Sequence, residues 1–161
     1  MMEDFKIQCL LNKSAGLFKC LLCMMLLLSG MQVYSQTQTL TVISNEKGAP
    51  TELKLAELKS IFKGEKQRWR DGNKITIAMM KTNTPVGAYT CKKIYDMNGD
   101  EVKKFWLALV FQGKADGPQF FSSITELESF VVDNPGAIGI IDPSQSSANT
   151  HVVLVDGKKT L

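Results

Sequence analysis

The alternation of short apolar runs with segments of helical period is the strongest constraint on how this chain folds. Four apolar runs of four or five residues, rich in β-branched side chains, span residues 40–43, 75–79, 137–141 and 152–155. Runs of this kind are typical of strands that are covered on both faces. Between them, apolar residues recur at the spacing of one helix face. The sequence therefore predicts an α/β domain with a mixed or mostly parallel sheet flanked by helices.

Three segments carry the helical pattern most clearly. Their apolar positions are Leu55, Leu58, Ile61 and Phe62; then Val102, Phe105, Trp106, Leu109 and Val110; then Ile124, Leu127, Phe130 and Val131. We expect the last four residues of the second set to form one buried face against the sheet. Ser123 and Glu126 have the spacing of a capping box at the start of the third helix.

The N-terminal segment has the pattern of a secretory signal. An uncharged apolar run, Cys20–Gly30, follows three lysines and precedes Val33-Tyr34-Ser35, which has small residues where a signal peptidase reads. The run is shorter than the roughly 20 residues of a membrane span. The pattern predicts a signal peptide over residues 1–35 and an exported periplasmic or cell-envelope domain over 36–161, without a membrane span after cleavage. A retained membrane anchor is the alternative.

Composition excludes few functions but limits the class of protein. A chain of 161 residues with 44% hydrophobic residues suits one globular domain with its own core. The formal net charge is +3, and the lysines and arginines are scattered, so nothing indicates a nucleic-acid partner. Beyond residue 35 the only cysteine is Cys91. An exported domain with one cysteine has no internal disulfide, so packing alone must stabilise it.

One segment carries the chemistry of a binding site. Thr84 is a good N-cap, and Pro85 is well placed at the first helical position. We expect this helix to run to Ile94 and to be stopped by Asn98-Gly99. A helix start after a strand offers unpaired N–H groups and the positive end of the helix dipole, which can hold an oxyanion. The candidate ligand-binding residues are Lys81, Thr82, Asn83, Thr84, Val86 and Gly87. The alternative is an ordinary helix start that contacts only water.

Other reactive residue types do not form a catalytic pattern. His151 is the only histidine, which excludes a multi-histidine metal site, and we expect it to be structural. We expect Cys91 to be a packed thiol, since no spacing supports a Cys–His pair. Trp69 lies in a turn-rich loop and either covers a ligand or is pinned against the sheet. There is no acid–base pair, metal cluster, nucleophile elbow or phosphate-binding glycine loop, so the sequence predicts neither an enzyme nor a metal or cofactor.

Five segments follow one another in an order that a known family also shows. They are LAELKSIFKG at 55–64, WRDG at 69–72, the strand and turn at 75–87, FWLALVFQG at 105–113, and NPGAIGI at 134–140. In this order they resemble the substrate-binding proteins of phosphate ABC transporters, over roughly residues 40–142. No single motif identifies the family, but five motifs in the same order argue against a chance resemblance.

The resemblance implies a fold and a function. The fold implied is a single lobe of a type II periplasmic binding protein. The family binds phosphate between two lobes without cofactors and delivers it to a membrane permease. Relatives often carry an arginine in the helix-opening turn, and Gly87 stands at that place here. We therefore expect an exported domain that binds phosphate or a related oxyanion. The alternative is a non-binding protein-interaction module of the cell envelope, with an envelope protein as its partner.

Overall fold

A computed structural model of the protein describes residues 38–146 and 150–161. The predicted signal peptide over residues 1–35 lies outside these ranges and stays a prediction, as does the start of the domain at residue 36. Within the described residues, no helix is long and apolar enough to span a bilayer.

Six strands and four α-helices make up the described chain. The strands are β1 Thr41–Ser44, β2 Glu52–Leu53, β3 Thr76–Met80, β4 Gln119–Phe121, β5 Ala137–Ile141 and β6 His151–Val155. The helices are α1 Leu55–Phe62, α2 Pro85–Thr90, α3 Gly99–Phe111 and α4 Ile124–Asp133. A π-helical segment, Cys91–Tyr95, continues α2, and a 3₁₀ turn, Pro143–Gln145, follows β5.

The strands form one mixed sheet in the order β2-β6-β1-β5-β3-β4. β3 is parallel to both β4 and β5, and β2 is parallel to β6. β1 is antiparallel to β5 and β6. The predicted mixed α/β fold is confirmed, and each of the four apolar runs overlaps a strand. β2 and β4 were not predicted, and both are short strands at the edges of the sheet.

The helices that follow β3 and β4 lie on opposite faces of the sheet. A Cβ on Gly139 of β5 would stand 2.7 Å from Leu127 in α4, so this face of β5 is covered by α4. Gly139 pairs with Ala78 of β3, and the side chain of the next residue, Met79, points to the other face. There the hydroxyl of Tyr95, at the end of the π-helical segment, donates to Met79 Sδ at 3.3 Å.

The predicted buried face of α3 was partly wrong. Val102 and Trp106 are buried, the latter 3% exposed, while Phe105 and Leu109 are half-buried. Val110 is 47% exposed and does not belong to this face. The buried stripe is centred on Val102 and Trp106. Val110 follows Trp106 by one helical turn, so its exposure comes from its place in the last turn of α3, which ends at Phe111, and not from its direction around the helix.

The predicted stop at Asn98-Gly99 was also wrong. The helical segment ends at Tyr95, and Asp96 takes the left-handed conformation with φ 57°. Asn98 instead begins α3, because its side-chain oxygen accepts hydrogen bonds from the N–H groups of Asp100 and Glu101, each at 3.0 Å. Asparagine is as effective at a helix start as in a helix-ending turn, so its neighbours decide between the two.

Candidate ligand-binding site

A crevice lies where two neighbouring parallel strands end. After β3 and β4 the chain passes to helices on opposite faces of the sheet, and ligands in open α/β sheets bind at this kind of point, outside the carboxyl ends of the strands. A cavity of about 420 Å³ lies there. We call it the crevice, and its lining residues are Gln38, Met80, Thr84, Pro85, Val86, Ser122, Ser123, Ile124, Thr125 and Gln145.

The start of α2 forms one wall of the crevice. Thr84 Oγ1 accepts from the N–H of Gly87 at 3.1 Å and donates to the carbonyl oxygen of Lys81 at 2.7 Å. Pro85 has no N–H, and the N–H of Ala88 donates to the Thr84 carbonyl at 2.8 Å. Val86, which lines the crevice, therefore carries the one N–H of this first turn that the cap does not use.

The start of α4 forms the opposite wall. Ser123 is its N-cap, and its Oγ accepts from the N–H of Glu126 at 3.3 Å. This is one of the two hydrogen bonds of the predicted capping box. The hydroxyl residues Ser122 and Thr125 also line the crevice. Two helix N-termini, each with a partial positive charge, thus meet at one crevice. Among the described residues it is lined by hydroxyl, amide and apolar side chains and by no charged one. This arrangement is suited to a small anion or a polar solute.

Five of the six predicted site residues line two different cavities, and the sixth lines neither. Thr84 and Val86 line the crevice. Lys81, Thr82 and Asn83 instead line a second cavity of about 420 Å³, whose other lining residues are Lys103 and Phe120. Gly87 is buried and lines neither of these two cavities. The predicted turn therefore contributes to two different surfaces, and Lys81 is not among the residues of the crevice.

Gly87 has a structural reason to lack a side chain. A Cβ at this position would stand 2.1 Å from the carbonyl oxygen of Lys81 and 2.8 Å from that of Met80. Real Cβ atoms do not approach backbone oxygens this closely. An arginine, which the resemblance places here, is thus incompatible with this backbone.

Most of the second wall was not predicted from the sequence. Ser122, Thr125, Gln38 and Gln145 line the crevice but were not proposed as site residues. The pair Ser122-Ser123 before a helical pattern was a usable signal for a second helix start. Its position beside Thr84 depends on the pairing of β3 with β4, which the sequence did not reveal.

None of the three other residues considered from the sequence lines the crevice. Trp69 is buried and pinned, because its indole N–H donates to the carbonyl of Gly136 at 2.9 Å, and it also lines a separate cavity of about 370 Å³. Cys91 is fully buried, and burial raises the pKa of its thiol. His151 begins β6 and lines a separate cavity of about 340 Å³. The described residues contain no group of three or more histidine, cysteine or acidic side chains that could hold a metal ion.

Solved structures with a similar fold are solute-binding proteins. A substrate-binding protein assigned to phosphate ABC transport in Clostridium perfringens, solved with bound phosphate, shares 19% identity at a TM-score of 0.52; the match covers 74% of this chain and 45% of that one. An ABC-type phosphate transport receptor from Vibrio cholerae shares 14% identity at a TM-score of 0.50, and the match covers 78% of this chain and 53% of that one. A candidate phosphate-binding protein from Planctomyces limnophilus shares 19% identity at a TM-score of 0.52, and the match covers 73% of this chain and 42% of that one.

These likenesses concern the fold. No protein-family model matches the sequence, and no curated protein matches it. The chain spans about half the length of the three solved proteins, whose descriptions name binding or transport and no enzyme. The chain thus shares a mixed α/β fold with these solute-binding proteins over about three quarters of its own length.

Proposed function

We propose that this domain is a solute-binding module that binds phosphate or a related oxyanion in the crevice. The observation that carries the proposal is the convergence of two helix starts, at Thr84 and Ser123, on one cavity at the ends of adjacent parallel strands. The same fold is found in proteins described as phosphate-binding, which supports the choice of ligand class.

The crevice would bind an anion through hydrogen-bond donors and helix dipoles rather than through a charged side chain. Each helix N-terminus is equivalent to roughly half a positive charge, and its effect is largest within the first turn. The N–H of Val86 and the hydroxyls of Ser122 and Thr125 supply directional donors. None of the described residues that line the crevice is a lysine or an arginine, so they cannot make the bidentate contacts that strengthen phosphate binding. We therefore expect weak binding, with a dissociation constant nearer about 1 mM than about 1 µM.

Export and transport complete the proposal. If residues 1–35 are removed as a signal peptide, the domain acts in the periplasm or at the cell envelope. There it would pass its ligand to a membrane permease. Two of the similar proteins are described as parts of ABC-type phosphate transport, which supports this role.

Titration calorimetry with phosphate and with sulfate tests the proposal directly. Calorimetry is preferable to tryptophan fluorescence because Trp69 and Trp106 are both buried and neither lines the crevice. Sodium chloride at matched ionic strength is the control for unspecific charge effects. Saturable heat with at least one oxyanion supports the proposal. The absence of heat with both would contradict it and favour the alternative, a protein-interaction module of the envelope that binds no solute.

A further inference from the structure

Exposed apolar side chains gather at one edge of the sheet. Of the five large apolar residues that are exposed in the described chain, four lie on α3 and β4. Phe111 is 83% exposed and Leu107 57%. We call this group the edge patch, and its members are Leu107, Val110, Phe111 and Phe120. A cluster of this kind at a surface marks an interaction site more often than scattered apolar residues do.

Two observations place the exposed face of α3 beside β4. A Cβ on Gly117, just before β4, would stand 3.4 Å from Val110 Cγ2, so the end of α3 packs beside the approach to β4. Phe120 and Lys103 line the same cavity, and Lys103 lies one helical turn before Leu107. Helix face and strand therefore adjoin one another.

The strand in this surface has an open edge. β4 is the last strand in the sheet order, and in the described chain only β3 pairs with it. An edge strand presents unpaired N–H and C=O groups to any extended chain that approaches it. Addition of a peptide strand to such an edge is a common mode of protein recognition.

Two lysines line the cavity beside the open edge. Among the described residues, the cavity next to Phe120 is lined by Lys81, Thr82, Asn83 and Lys103 and by no acidic side chain. Lys103 contacts Asp100 at 3.1 Å, but both groups are exposed, and exposed ion pairs are weak. Lys81 takes part in none of the ion pairs of the described residues.

From these three features we infer that the edge patch docks an extended, acidic segment of another protein. The segment adds a strand to β4, places an apolar side chain against Phe120 and directs a carboxylate towards Lys81 and Lys103. A second copy of this chain is a poorer occupant, because a two-fold interface would bring the same lysines together. This surface is separate from the crevice, so the inference does not depend on the proposed function.

Two blocked heptapeptides test the inference against the purified full chain. In one, glutamate alternates with leucine, and in its twin lysine replaces glutamate. Fluorescence anisotropy should show the acidic peptide binding at least tenfold more tightly than its twin, with no loss of affinity in excess phosphate. Equal affinities, or no binding of either peptide, would overturn the inference. So would cosedimentation with vesicles of phosphatidylglycerol and phosphatidylcholine that the acidic peptide does not compete away, because the patch would then serve a lipid surface.

Matched variants locate the binding surface. Phe120→Ser and Lys81→Glu should each lower the affinity for the acidic peptide at least tenfold. Val132→Ser removes the fifth exposed apolar side chain, on α4, and Lys158→Glu reverses an exposed charge outside the cavity, so both should bind like the wild type. Lys81→Glu leaves the apolar surface intact, so it stays informative if Phe120→Ser fails to fold. Unchanged affinity in Lys81→Glu would overturn the inference.

Discussion

The carbonyl oxygen of Lys81 lies 2.1 Å from the place that a Cβ of residue 87 would occupy, so the start of α2 is built directly against the turn that precedes it. Thr84 joins the same two residues from the side, donating to the Lys81 carbonyl and accepting from the Gly87 N–H. The close approach and the double hydrogen bond together fix where the first turn of α2 meets the crevice.

Gly87→Ala should therefore destabilise the domain. The added Cβ meets backbone atoms rather than a movable side chain, so the turn has to shift, and we expect a loss of about 2–3 kcal/mol, in the range of other overpacked sites. Urea denaturation measures it. Gly117→Ala is the control, because its Cβ would meet only Val110 Cγ2 at an ordinary 3.4 Å. Equal stability of the two variants would show that the turn is not rigid.

Ser123→Asp should weaken oxyanion binding without unfolding α4. Aspartate is as good an N-cap as serine, so the hydrogen bond from the Glu126 N–H can be kept. Its carboxylate brings a negative charge into the crevice, and we expect at least a tenfold loss of affinity, about 1.4 kcal/mol. Calorimetry with the oxyanion that binds the wild type provides the measurement.

Ser123→Asn is the matched control for that experiment, since asparagine also caps the helix but adds no charge. It should bind within about threefold of the wild type. If the aspartate and asparagine variants bind equally well, the anion lies elsewhere. Position 84 is less suited to the same substitution, because an aspartate there could not donate to the Lys81 carbonyl as the threonine does.

Trp106→Ala should cost about 3–5 kcal/mol of unfolding free energy, as truncation of a buried aromatic residue does. Its ring is buried, and its indole N–H donates to the hydroxyl of Tyr95 at 3.0 Å. Val110→Ala, in the same helix but at an exposed position, should change stability by less than about 0.5 kcal/mol. Chemical denaturation of both variants checks the difference, and a loss below about 1 kcal/mol for Trp106→Ala would show that its contacts are loose.

Tyr95→Phe should change how stability depends on alkaline pH. Burial raises the pKa of the Tyr95 hydroxyl, although the hydrogen bond from Trp106 acts in the opposite direction. The unfolded chain ionises at its ordinary pKa of about 10 while the folded chain holds the proton, so the wild type loses stability as the pH rises above about 10. The loss approaches about 1.4 kcal/mol per pH unit.

In Tyr95→Phe that contribution is absent, so its stability should fall less steeply between about pH 10 and pH 11. At neutral pH the variant should be less stable by about 1–3 kcal/mol, because the indole N–H of Trp106 loses its acceptor. Denaturation curves at a series of pH values give both quantities. Parallel pH profiles for the variant and the wild type would show that the hydroxyl ionises freely in the folded state.

The exported protein should begin near Gln36. The prediction depends on the uncharged run Cys20–Gly30 and on the small residues around Tyr34. N-terminal sequencing of the protein recovered from the periplasm or medium tests it. A start at Met1 in the membrane fraction would indicate a retained anchor instead.

The elements that the sequence predicted well are those whose residues are buried on both faces or along one full helix stripe. All five residues of β5 are buried, and its bounds agree with the apolar run at 137–141. β2 and β4 have two and three residues, too few for a pattern, and they are strands because a neighbour pairs with them. Asn98-Gly99 could end one helix or begin the next. The close fit of Gly99 against Thr82 belongs to the tertiary fold.

The shape of the candidate site could be predicted only in part, for the same reason. The helix start at Thr84 is a local signal, and the cap is present as expected. Lys81 lines a different cavity from Thr84, and Phe120 of β4 lines that cavity with it. The second wall, at Ser122 and Ser123, becomes part of the site only when β3 and β4 pair. Local sequence therefore identified a helix end but not the cavity to which it belongs.

The position of β1 in the sheet determines when during its synthesis the protein can fold. β1 is made early, yet both strands that flank it come late: Thr41 pairs with Ile141, and Val42 with Val153. Contacts between residues so far apart in sequence slow folding, because the intervening chain must be ordered first. A nascent chain therefore carries β1 without a neighbour until β5 has been made, and without its second neighbour until β6 has been made. The six-stranded sheet is complete only once β6 is available.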